Sequence, residues 1–371
     1  MILKLQLGIT IFSIAVATAI YFISLVIYRL YLSPLAKFPG PKLAAATSWY
    51  EFYHDFWRNG QYIFEIEKMH RKYGPIIRVN PEELSIHDPS FYNQLYVTES
   101  KRRTSSYETF CKGIEIEGSH LLTVDHDLHR RRRKPLESFF SRRGLSKLEH
   151  IISEVALHLE SRFKELKGSG KVIRLDHACS AFSGDIIGRI CLGGEPGQRF
   201  LDDSSFASDW YNVIHAVGRS IPFITGLPVT IQMLRFIPER LVLWAYPEGQ
   251  MFIAFKQRAT QQIQQAKMTS YDKDSTSVSL FAHIIRSDLP ESEKSDQRLS
   301  NEAQVLLGAG TATAGHTITF ASFYILSRPA IRRRLASELE NTMAGWPNTV
   351  PTWAELEKLP FLQAIIKESL R

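Results

Sequence analysis

The first clear pattern along the chain is a run without charge. From Leu7 to Ile27 every residue is neutral, and a helix of that length crosses a hydrocarbon core of about 30 Å. A cleaved signal peptide is the competing reading, because Ala17-Thr18-Ala19 has the form of a cleavage site. The apolar run nevertheless continues to Ile27, past the 7–15 residues of a typical signal core, so a retained transmembrane helix is expected. Pro34, Pro39, Gly40 and Pro41 then interrupt any helix and predict a stiff hinge. Gln61 to Tyr73 has helical spacing and ends at Gly74-Pro75. Ile76 to Val79 and Leu84 to His87, split by Asn80-Pro81, predict a small β-hairpin. Asp88 and Pro89 suit the N-cap and first turn of a helix running to Val97.

Beyond the hairpin the pattern is mainly helical. Lys101 to Ser119 lacks a period and reads as loop. Asp125 to Phe140 and Leu145 to Leu166 are predicted helices, followed by a turn at Lys167-Gly168-Ser169-Gly170 and a strand at Val172 to Leu175. Asp176 suits the cap of the next helix, to about Leu192. Helices fill much of Phe200 to Met268 and Val278 to Ile285, before a polar loop from Ser287 to Gln297. Val305 to Leu326 is free of charge apart from His316. A helix apolar all round is buried or spans a membrane, and the glycines and threonines between Gly308 and Thr319 make it a mediocre span. Ile331 to Thr342 and Leu359 to Arg371 are the last predicted helices.

Composition narrows the class. The 371 residues are 44% apolar, enough for a large core, without repeats or a long linker. The expected organisation is an anchor over residues 1–33 and one body over residues 34–371. Cys111, Cys179 and Cys191 are too few and too irregularly spaced for a disulfide framework or a zinc site. A net charge of +7 implies affinity for anionic surfaces. The densest basic run, Arg130 to Lys134, reads as a solvated helix face, with an acidic redox partner or acidic membrane lipid as the functional alternative. Behind a membrane anchor a nucleic-acid partner is not expected. Arg29, Lys37 and Lys42 after the span, against Lys4 before it, favour a cytosolic body.

Four ordered motifs carry a resemblance. They are Pro34-Leu35-Ala36-Lys37-Phe38-Pro39-Gly40-Pro41, His129-x-x-x-Arg133, Ala309-Gly310-x-x-Thr313, and Leu359-Pro360-Phe361-Leu362 leading to Glu368-x-x-Arg371. Together they resemble the cytochrome P-450 family of haem-thiolate monooxygenases. Tyr73 to Pro81 and the Ala178 to Asp185 segment look like members in fungal secondary metabolism. The resemblance implies haem, an NADPH-dependent reductase partner, a hydrophobic small-molecule substrate and single-pass residence in the endoplasmic reticulum membrane. It implies that His129 and Arg133 hold haem propionates and that Ala309 and Gly310 let haem and oxygen approach the long helix. Thr313 would bind oxygen or order a proton-carrying water, while Glu368 and Arg371 form a structural pair. The family's usual acid before that threonine is Ala312 here.

The resemblance runs out at the axial ligand, whose loop in the family follows the Glu-x-x-Arg helix. Arg189-Ile190-Cys191-Leu192-Gly193 matches only half of that pattern and precedes the oxygen helix, so Cys191 is expected to be a buried structural thiol. No metal ligand is therefore assigned. The expected fold is a C-terminally truncated cytochrome P-450 body, catalytically inactive as written. The alternatives are an active monooxygenase whose C-terminal segment is missing from the sequence, and a non-catalytic membrane scaffold.

Overall fold

The computed structural model describes residues 2–97, 102–106, 108, 116–193, 199–226, 236–245, 249–271 and 279–371. Cys111 and much of the loop expected over 101–119 lie outside them. The chain divides into two compact units.

The first unit comprises residues 1–104 and 220–231. It opens with helix α1 (Ile2–Ile27), which winds on as one wide turn through Tyr28–Leu32. Gln6–Leu32 is long and apolar enough to cross a membrane, and none of its most apolar window is buried in protein. The proline segment that follows is fastened to the rest of the unit. Arg78 donates its backbone N–H to the Pro39 carbonyl at 2.7 Å, and a side chain at Gly40 would collide with the Arg78 carbonyl. Helix α2 (Lys42–Ala46) leads to α3 (Trp49–Phe52), which widens through Tyr53–Trp57. Helix α4 (Tyr62–Tyr73) stops where Gly74 adopts a φ of 100°, a conformation open mainly to glycine. The predicted hairpin is β1 (Ile76–Asn80) and β2 (Glu83–Ile86), antiparallel, with Ile77 opposite Ser85 and Arg78 opposite Leu84. Ile77 and Val79 pack with Tyr62 and Met69 of α4. Asp88 caps the next turn by accepting the Ser90 N–H at 2.9 Å, and α5 (Tyr92–Leu95) follows.

The second unit holds the main core. Asp125 and Ser141 cap α6 (His126–Glu137) and α7 (Arg142–Leu166) through their side chains. Next come α8 (Leu175–Leu192) and α9 (Ser208–Gly226), whose last residues belong to the first unit. They are followed by α10 (Glu239–Ala245), α11 (Gly249–Tyr271) and α12 (Leu280–Arg286). The long helix α13 (Asp296–Ser327) packs on α8 and α11. The last described helices are α14 (Pro329–Leu339), α15 (Trp353–Leu356) and α16 (Pro360–Ser369). The fold is mainly α with one small hairpin, as expected.

Three details differ from the sequence reading. The strand expected at Val172 to Leu175 does not form; residues 171–174 pair with no other strand among the described residues, and α8 opens at Leu175. Asp176 is therefore inside the first helical turn instead of capping it, and its carboxylate meets Arg174 at 2.5 Å. The long helix begins at Asp296, inside the expected loop, and is capped by Ser295. Charge-free length was the wrong guide to its start, because Arg298 and Glu302 meet at 2.8 Å one turn apart and are buried together. Its far half is also more open than expected, with Phe320, Phe323 and Leu326 exposed.

Candidate functional site

The long helix sorts its small residues onto two faces. On the closed face, a Cβ at Gly310 would lie 2.7 Å from Ile187 Cγ1, and one at Gly315 would lie 2.9 Å from Ser180 Cα. Both glycines are thus required by the crossing of α8 over α13. Thr311 shares this buried side, and its hydroxyl has no hydrogen-bond partner among the described residues. The open face carries Ala309, Thr313, His316 and Phe320, spaced to form one exposed stripe. Thr313 donates its hydroxyl to the Ala309 carbonyl at 2.9 Å, and Thr317 does the same to Thr313. Of the expected pocket residues, Ala309 and Thr313 share the open stripe, while Gly310 faces the neighbouring helix.

The stripe runs into a cleft of about 540 Å³ lined by His316, Phe320, Tyr324 and Arg328 together with Glu368 and Arg371 of α16. Glu368 and Arg371 pair at 3.5 Å and are largely exposed. Helix α16 is held by α14: Glu338 accepts the N–H groups of Phe361 at 2.9 Å and Leu362 at 2.8 Å. The Arg334 guanidinium stacks 4.1 Å from the Phe361 ring. A carboxylate at a helix N-terminus satisfies otherwise unpaired donors and complements the helix dipole. The last motif's helix is thereby positioned by a residue that the motif does not contain.

On α6, His129 is half-buried and Arg133 is exposed. Burial is the main cause that lowers the His129 pKa, with the positive charges of His120, Arg133 and His126 adding to it. A neutral imidazole beside a guanidinium is a poised receptor for carboxylates, since an arriving anion would favour protonation of the ring. The basic run around it is not the uniform solvated face that the sequence suggested. Arg132 turns inward, 12% exposed, and donates to both Glu293 oxygens at 2.7 and 3.1 Å and to the Thr123 hydroxyl at 2.9 Å. Glu293 also lies 3.4 Å from Arg298. Arg298 meets the fully buried Glu302, which accepts the His120 N–H at 3.1 Å and bonds its imidazole. The His120 ring stands 6.4 Å from that of His129. This buried chain of alternating charge joins α6, residues 119–123 and α13. Only its Arg298/Glu302 spacing was visible in sequence; its other partners are too distant along the chain.

Donor chemistry at His129 and Arg133 fits the propionate end of a haem. The described cysteines do not fit its axial position. Cys191 is fully buried in the main core and burial pushes its thiol up; Cys179 is also buried, with its thiol raised for the same reason. A thiol raised in this way holds its proton and is a poor iron ligand.

The chain thus combines a long core helix with an open stripe, a Glu-x-x-Arg helix beside it and a His/Arg pair on a third helix. The family model for cytochrome P450 matches residues 44–371, and the chain belongs to that family, whose cofactor is haem. It is 49% identical over 364 residues to the cytochrome P450 monooxygenase oblB of Emericella variicolor, covering 95% of this chain and 66% of that protein. It is 48% identical over 379 residues to the cytochrome P450 monooxygenase tndB of Aspergillus flavipes, covering 96% and 78%. It is 44% identical over 364 residues to the fusicoccadiene C-8 hydroxylase of Phomopsis amygdali, covering 96% and 69%. The chain therefore spans roughly two thirds of the length of several such relatives.

Proposed function

We propose that this chain forms the greater part of a membrane-anchored monooxygenase that hydroxylates an apolar small molecule in fungal secondary metabolism. The observation that carries this reading is the cleft in which the open stripe of α13 meets Glu368 and Arg371. A relative named as a fusicoccadiene C-8 hydroxylase supports a terpene-like hydrocarbon as substrate. In this reading His129 and Arg133 receive the haem propionates, Ala309 borders the haem and oxygen pocket, Thr313 orders the proton carrier, and Gly310 serves the crossing with α8 instead of the pocket. Thr313 would first have to release its bond to Ala309. Residues 1–33 anchor the chain in the endoplasmic reticulum membrane and residues 34–371 form a cytosolic body. The exposed Arg131 and Lys134 offer a docking face for an acidic, NADPH-dependent reductase.

When bound through a thiolate, haem supplies oxygen activation by pushing electron density toward the oxygen–oxygen bond. Buried, protonated Cys179 and Cys191 are not expected to furnish that ligand in this chain. Its ferrous carbonyl spectrum, recorded beside that of Cys191→Ala, tests this. No thiolate-type band is expected from either protein. A band in the unaltered chain that disappears in Cys191→Ala would overturn the reading.

A further inference from the structure

We propose that an open cleft between α7 and α12 is a binding site for the phosphate or diphosphate end of a small organic ester. The cleft has a volume of about 620 Å³, and its charged lining is Arg143 and Lys147 of α7 with His283 and Arg286 of α12. Residues four and three apart share a helix face, so each helix contributes two of these side chains together. All four are exposed, and no carboxylate lines the cleft among the described residues. Nearby cations are neutralised: Arg142 pairs with Glu357 at 2.5 Å and Arg132 with Glu293 at 2.7 Å. Arg143 and Lys147, by contrast, make no ion pair among the described residues. Like charges gathered in this way repel and cost the fold stability, a cost that an anion between them would relieve.

The chemistry of the lining selects the ligand. A guanidinium offers a planar fork of donors that fits phosphate oxygens, and an ammonium binds them as a point charge. Ser279 lines the same cleft and is 2% exposed. Its Oγ accepts the Ala282 N–H at 3.2 Å, and its hydroxyl proton has no acceptor among the described residues, leaving a buried donor for an anion. Phe139 and Leu148 supply an apolar wall, with the Phe139 ring 5.4 Å from that of His283. Cations beside an apolar wall suit an organic ester better than a bare ion, and the volume is that of a small-ligand site, roughly 300–1,000 Å³. The rim is fixed in place. A Cβ at Gly144 would collide with the carbonyls of Ser138 and Phe139, so only glycine lets the turn before α7 fold onto the helix. Ser141 secures that turn, donating to the Ser138 carbonyl at 2.9 Å and accepting the Gly144 N–H at 3.0 Å.

The test is protection of Lys147 from acetylation. The full 371-residue chain in detergent micelles is treated with acetic anhydride, with and without inorganic pyrophosphate, and labelling of each lysine is measured by peptide mass spectrometry. Pyrophosphate should slow labelling of Lys147 severalfold and leave exposed Lys171 unchanged. Arg143→Gln should raise the pyrophosphate concentration needed for protection about tenfold, as loss of one charge-assisted bond predicts. Arg332→Gln removes the same charge from an exposed position on α14 and should change that concentration by less than about twofold, since a distant exposed charge is screened. A parallel arm uses the chain in phosphatidylcholine vesicles with or without phosphatidic acid. Protection by free pyrophosphate would assign the cleft to a soluble phosphate ester, and protection by phosphatidic acid alone would assign it to a lipid headgroup. Equal weakening by the two arginine variants, or no protection of Lys147 by either probe, would overturn the phosphate site.

Discussion

At the residue scale the most informative group outside the candidate site is Asp185. It is buried in α8 and accepts the N–H groups of Phe200 at 2.7 Å and Leu201 at 3.1 Å. Burial outweighs these bonds and pushes its pKa from 3.8 up to about 6. The folded chain therefore holds this proton more tightly than the unfolded chain. The contribution is neutral below about pH 4, turns unfavourable as the pH rises, and is fully unfavourable above about pH 6, where it costs about 3 kcal/mol. Asp185→Asn should flatten the fall in stability between pH 4 and 6, measured by denaturant unfolding at several pH values. An unchanged slope would show that the carboxylate titrates as if exposed. Burial of this aspartate was not legible in sequence, since its partners come from a short turn after the helix. That His129 and Arg133 share one helix was legible from their spacing of four. Arg132 was not, because its inward turn depends on Glu293, which is remote in the chain.

At the level of elements, hydrophobic periodicity located the helices and the hairpin well, since both depend on local spacing. It failed where a charge pair was buried within a helix, as with Arg298 and Glu302, and where a short β-like run found no partner strand, as at Val172. The small residues of α13 show the same limit. Their size was evident, but which face each one served was not. Gly310→Leu should destabilise the protein by about 1–3 kcal/mol, because the new side chain meets Ile187 in a packed crossing. Ala309→Leu, one residue away on the open stripe, should change stability by less than about 0.5 kcal/mol. Denaturant midpoints of the two variants separate a packing role from a pocket role. Equal losses would mean that both positions are enclosed.

For the molecule as a whole, the last issue is which side of the membrane the body occupies. The bias of Arg29, Lys37 and Lys42 over Lys4 favours retention of the basic flank in the cytosol. The structure gives that flank a further role, since Arg29 is bonded to Ala46 and Arg78. A reversed orientation would carry the first charge after the span, and the hairpin bonded to it, across the bilayer. In sealed microsomes, protease added outside should digest residues 34–371 and leave a small protected fragment near the N-terminus. Deleting residues 1–33 should abolish that fragment and weaken membrane attachment. Protection of the body in intact microsomes, lost on detergent treatment, would reverse the proposed orientation.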